Sequence, residues 1–150
     1  MWRKKTRLVL FGILIILVVF VILYFFRLQD FRLNRTLRTI ALKLVQIEKL
    51  SQTTAVIYRI EFFDDFYRID FLSPDDKEWT PFIQDEYCHD VSCRTTGWLF
   101  YFVRGYFREY SQEGKRAKNP PYLIVEFYVP GTQKTKKLIF YRDKDWRILG

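Results

Sequence analysis

The chain has 150 residues, 49% of them hydrophobic and 19% aromatic; such a composition can repay the entropy of ordering, which excludes an intrinsically disordered protein. Two cysteines exclude a cysteine-dense scaffold, and the single histidine, His89, leaves little material for a histidine-based metal or acid–base centre. The formal charge of +8 comes from 25 basic and 17 acidic residues, and four of the positives, Arg3, Lys4, Lys5 and Arg7, precede residue 8 with no acid among them, so the basic balance reads first as a topogenic signal.

Residues 8–26, LVLFGILIILVVFVILYFF, carry no charge. As a helix this run is ~28 Å long, close to the ~30 Å hydrocarbon core of a bilayer. A cleaved secretory signal has a shorter apolar region and a small-residue cleavage site, whereas this run ends in Tyr24-Phe25-Phe26-Arg27. An uncleaved membrane anchor is therefore expected. Its first flank, residues 1–7, has four basic residues and no acid; its second has Arg27, Arg32 and Arg35 with Asp30. The positive-inside rule then places the short tail in the cytoplasm and residues 27–150 outside it, in the periplasm or its extracytoplasmic equivalent.

Residues 27–50 keep a helical period. Leu33, Leu37, Ile40, Ala41, Leu44 and Ile47 share one face, at i, i+4, i+7, i+8, i+11 and i+14. No glycine or proline occurs between residues 13 and 72, so one helix is expected from near residue 8 to near residue 50; two helices meeting near Gln29-Asp30 are the alternative. Period-two segments follow, at 54–62, 66–72, 123–129, 136–142 and 146–149, with 98–107 as one long aromatic strand. Asp64-Asp65, Pro130-Gly131 and 143–145 read as turns, 73–95 as irregular, and 111–121 as a polar loop. Twenty-two aromatic residues lie between 51 and 150, which suits half-buried pleated surface. The expected class is α+β: a long N-terminal helix, transmembrane then amphipathic, packed on a C-terminal antiparallel sheet formed by residues 51–150.

This layout resembles that of type IV pilin-like proteins, including the minor pseudopilins of type II secretion. Residues 37–58, LRTIALKLVQIEKLSQTTAVIY, resemble their passage from helix to first strand, and LIVEFYVPGTQKTKKLIFYRDKDWRI, residues 123–148, resembles their final hairpin. The resemblance implies a non-catalytic subunit whose helix packs with helices of other pilin-like or membrane subunits. The prepilin cleavage pattern, Gly-Phe-Thr-Leu-x-Glu, is absent: Gly12 is followed by Ile13, and Leu17 stands where the glutamate would be. A membrane-tethered binding or accessory module unrelated to pilins remains the alternative.

The remaining candidate chemistry is sparse. In an oxidising compartment Cys88 and Cys93 are expected to form a structural disulfide closing a short loop. With His89 they supply three zinc ligands where four are needed. The pairs Asp64-Asp65, Asp75-Asp76 and Asp85-Glu86 read as turn residues ahead of acid–base pairs, and Asp75, Asp76, Glu78 and Asp85 lack an EF-hand pattern for calcium. Lys115, Arg116 and Lys118 near Tyr110 and Tyr122 have the make-up of a single-stranded nucleic-acid contact, but a solvated polar loop is far commoner and is the expected reading, with no nucleic-acid partner. No nucleophile–base motif is present, so no enzyme, cofactor or small-molecule substrate is expected.

Overall fold

Beyond Gly12 the first fifty residues contain neither of the strong helix breakers, and Trp2–Thr53 form one α-helix, α1. The computed structural model describes residues 2–95, 99–103, 106–110, 122–141 and 145–150, with side chains described from residue 9 onward except at 99 and 106–110. No break occurs near Gln29-Asp30. The helix ends where three hydroxyls can take over its last carbonyls: Thr54 Oγ1 donates to Leu50 O at 2.7 Å, Thr53 Oγ1 to Leu50 O at 3.2 Å and Ser51 Oγ to Glu48 O at 2.8 Å.

The chain divides into two units, residues 1–31 and 32–150. The first is helix, and its apolar side chains from Val9 to Phe26 are all exposed. The second holds the rest of α1 and the strands β1 (Ile57–Phe62), β2 (Phe66–Leu72), β3 (Thr80–Glu86), β4 (Ser92–Cys93), β5 (Leu99–Val103), β6 (Tyr106–Tyr110), β7 (Tyr122–Tyr128), β8 (Thr135–Tyr141) and β9 (Trp146–Leu149). Among the described residues these form two antiparallel sheets, ordered β3-β2-β1-β5-β6 and β4-β7-β8-β9.

The class is α+β, with two sheets in place of one. Two segments account for the difference. Residues 73–95, which lack clear alternation, contain β3 and β4: β3 is an edge strand whose side chains are nearly all exposed, so no apolar period marks it. The stretch 98–107 is not one strand, because Val103 faces Tyr106 across a hairpin, with Gly105 between them in sequence. Asp64-Asp65 does form a tight turn, closed by Phe63 N donating to Phe66 O at 2.9 Å. At Pro130-Gly131, Thr132 N donates to Val129 O and Gly131 has φ +76°, a type II arrangement that favours glycine at its third position.

The core joins both sheets and the helix. Tyr58, Ile60, Phe62, Tyr67, Ile69, Phe100 and Phe102 line the inner side of the first sheet, and Leu123, Val125, Phe127, Leu138 and Phe140 that of the second. Aromatic edges cross between them, with ring centroids 6.2 Å apart for Phe62–Phe127 and 6.5 Å for Phe102–Phe140. On the other face of the first sheet, Asp70 is nearly fully buried and accepts from Arg59 Nε at 2.9 Å, with Arg68 Nε at 3.4 Å. Arg59 also lies over the Trp79 ring, 4.4 Å from its centroid, so the β2–β3 connection is held to the sheet through this pair. Asp70→Ala removes the acceptor of the Arg59 guanidinium and the counter-ion of Arg68, both partly buried and able to recover some hydration; a loss of about 1–3 kcal/mol is expected. Arg94→Ala breaks the more exposed pair with Glu126, 2.9 Å apart, and should cost under about 1 kcal/mol. Urea denaturation of the two variants measures the contrast.

Candidate functional site

The first candidate is the apolar helix itself. Near the N-terminus α1 is long and apolar enough to cross a membrane, and none of its most hydropathic window is buried by the rest of the chain. In water, the seventeen exposed apolar side chains from Val9 to Phe26 would leave unburied an area normally removed from solvent at about 25 cal/mol per Å². A bilayer removes that cost, consistent with single-pass anchoring. Arg3, Lys4, Lys5 and Arg7 lie within α1, and their side chains are outside the described residues.

In the second unit, Leu33, Leu37, Ile40, Ala41, Leu44 and Ile47 are each 0–1% exposed and belong to the core cluster. Arg38, Leu42, Gln46 and Lys49 are exposed. The helix thus presents one side to the sheets and another to solvent.

The Cys88–Cys93 disulfide expected from the sequence is not formed: both thiols are free. The backbone between them explains the separation. Cys88 N is held by Thr36 Oγ1 at 3.1 Å, a turn follows with Val91 N donating to Cys88 O at 3.0 Å, and Asp90 adopts φ 62°. The chain then enters β4, where Cys93 pairs with Phe127 of β7 and its N–H donates to Asp64 O at 2.9 Å. Cys93 is buried against the Tyr87 hydroxyl, while Cys88 remains half-buried near α1.

Burial, more than any neighbour, pushes the Cys93 thiol from 9.0 up to about 12. Burial also raises Tyr87, reinforced by Cys93, and Tyr67, reinforced by Asp85, to whose Oδ2 the Tyr67 hydroxyl donates at 3.0 Å. All three groups therefore hold their protons more tightly folded than unfolded. Stability from them is complete below about pH 9 and declines as pH rises beyond it, because the unfolded chain releases those protons first. Two outcomes are expected. Iodoacetamide should modify Cys88 in the native protein and reach Cys93 only after denaturation, as read by peptide mass. Urea midpoints should fall as pH is raised above about 9.

The acidic candidates do not converge. Asp75, Asp76 and Glu78 are exposed in the β2–β3 connection, Asp85 receives the Tyr67 hydroxyl, and Asp64 and Asp65 lend their backbone carbonyls to Cys93 N and Tyr87 N. Among the described residues no three of His, Cys, Asp or Glu gather as a metal site would require. Lys115, Arg116 and Lys118 lie outside the described residues, as does the side chain of Tyr110.

One assembly has no counterpart in the sequence reading. At the start of the second unit, Arg32 NH1 meets Asp90 Oδ2 at 2.7 Å, Thr36 accepts from Cys88 N, and Lys136 Nζ reaches Asn34 Oδ1 at 3.0 Å. A cavity of about 210 Å³ lies there, lined by Arg35, Thr36, Thr39, Tyr67, Glu86 and Cys88. The only sequence signal for it was the arginine spacing of α1; its partners come from segments more than fifty residues away.

Comparison with known proteins finds no matching family model, no matching curated protein and no matching solved structure. What stands is the layout: one long N-terminal helix with an apolar half, and a second half packed on antiparallel sheet, compatible with a pilin-like fold.

Proposed function

We propose that the protein is a single-pass, membrane-anchored, non-catalytic structural or assembly component, similar in role to a minor pilin or pseudopilin of a secretion or pilus machine. Its tail lies in the cytoplasm, and residues 27–150 lie on the periplasmic or extracytoplasmic side of the plasma membrane. The observation that carries the reading is the contrast along α1: apolar side chains exposed from Val9 to Phe26, then a stripe buried from Leu33 to Ile47. The anchor holds the sheet unit at the bilayer, and its partners are lipid and the helices of other membrane or pilin-like subunits. Neither nucleic acid nor a small-molecule substrate enters this reading.

A second reading, an anchored accessory module that joins no filament, is favoured by one observation, Leu17 at the position of the prepilin glutamate. Protease added to spheroplasts should remove residues 27–150, with the charge imbalance across residues 8–26 as the reason; full protection of the unit until lysis would overturn the orientation. Photocrosslinking from Leu42, which is 64% exposed on α1, separates the two roles. A crosslink to another anchored helix supports the assembly component, and crosslinks to soluble protein alone support the accessory module.

A further inference from the structure

We propose that the free edge of β3 captures an extended basic segment of a partner protein as an added strand, and that the cavity beside Glu86 seats one apolar side chain of that segment. Every residue involved belongs to the unit of residues 32–150, so the inference goes beyond the anchoring role and does not depend on it. Among the described residues β3 is the end strand of its sheet, paired to β2 alone, and all of its residues but Ile83 are exposed. Natural sheets blunt such edges with lysine, proline or a bulge. Here Pro81 and the register shift between Ile69 and Asp70 blunt only the first part, and β3 has no lysine. The last part is open. Tyr87 N donates to Asp65 O at 2.9 Å, next to the pair Glu86–Phe66. Hydrogen-bonded and non-hydrogen-bonded pairs alternate along an antiparallel ladder, so the N–H and C=O groups of Glu86 and Gln84 point away from β2, to the free edge.

Main-chain hydrogen bonds hold an added strand, and pockets beside it choose its side chains. The cavity of about 210 Å³ opens where β3 ends, with buried Ile40, Tyr67 and Tyr87 in its wall beside exposed Arg35, Thr39 and Glu86. Apolar depth under a polar rim suits an aliphatic side chain. Further along the edge Phe82 is 44% exposed, its ring 5.9 Å from that of Tyr58 and 6.1 Å from that of Phe71, and gives a second residue an apolar contact. Charge then sets the sign of the occupant. Between residues 73 and 86 five acids, Asp75, Asp76, Glu78, Asp85 and Glu86, accompany one base, Lys77, in a chain whose formal charge is +8. Asp75, Asp76, Glu78 and Glu86 are exposed and make no ion pair among the described residues. An extended segment that alternates lysine or arginine with aliphatic residues answers both the apolar contacts and the acids.

The test uses the full chain in a non-ionic detergent and a fluorescein-labelled peptide of alternating lysine and valine, with binding read by fluorescence anisotropy. Saturable binding is expected, roughly tenfold tighter than that of the glutamate–valine peptide of equal length. Full N-methylation of the peptide backbone keeps every side chain and removes the donors, and should weaken binding by roughly tenfold or more. Gln84→Pro removes an N–H that β2 does not use, at an edge where proline is tolerated, and should weaken binding likewise. Thr39→Trp fills the cavity from an exposed helix position and should weaken it several-fold, which keeps the test decisive if Gln84→Pro fails to fold. Arg147→Gln, exposed on the edge strand of the other sheet, should change nothing. Absence of binding at millimolar peptide, equal binding of the glutamate–valine or N-methylated peptide, or undiminished binding in Thr39→Trp or in folded Gln84→Pro overturns the proposal. Sedimentation equilibrium checks the other occupant: dimers of the native chain that Gln84→Pro abolishes would make a second copy the partner and would also overturn it.

Discussion

Phe62→Ala is expected to lower the stability of the sheet unit by about 3–5 kcal/mol, the range for emptying a buried aromatic site. Phe62 is fully buried on β1, and its ring lies 5.7 Å from that of Phe100 in the same sheet, 6.4 Å from Tyr67 and 6.2 Å from Phe127 in the other sheet. Truncation removes contacts on both sides of the inter-sheet core. The strands on either side are fixed by their own ladders, which limits collapse into the void and places the cost toward the upper end. Domains of this size have about 5–15 kcal/mol in total, so the variant should unfold at markedly lower urea. Phe127→Ala should behave alike, and the double variant should cost less than the sum by about 0.5–1.5 kcal/mol, the coupling of an edge-to-face pair. Strict additivity would mean that the two sheets do not meet through these rings.

Leu44→Ala is the second large effect, about 2–5 kcal/mol. Leu44 is 0% exposed at the centre of the α1 stripe, between Ala41 and Ile47. The matched control is Arg38→Ala on the exposed side, which should stay within about 0.5 kcal/mol. Urea midpoints of a soluble fragment spanning residues 28–150 make the comparison. If the two variants proved equally mild, the amphipathic half of α1 would not belong to the core, and the pilin-like layout would lose its physical basis.

The membrane-length run, the helix stripe and the alternation of β1, β2, β7 and β8 were legible because each is a local period. Lipid requires about twenty apolar residues in succession, a helix buries every third or fourth position, and a strand every second. Leu33 to Ile47 could be grouped on one face without knowing what covers them, and Tyr58, Ile60 and Phe62 likewise.

The remainder was not local. The 3% exposure of Asp70 follows from the β2–β3 connection that brings Trp79 over Arg59, although the alternation of β2 turns Asp70 away from the core. The second sheet takes its edge strand through β4 adding to β7, a two-residue pairing with no period of its own. That same pairing carries Cys93 to Tyr87 and away from Cys88, so short spacing did not become a bond. The contacts of Arg32 with Asp90 and of Lys136 with Asn34 join three segments that only the folded chain brings within hydrogen-bonding distance. Sequence periodicity determined which side of each element is apolar, because that depends on backbone geometry alone; which apolar sides met, and which charges were left beside them, was decided by packing between elements distant in the chain.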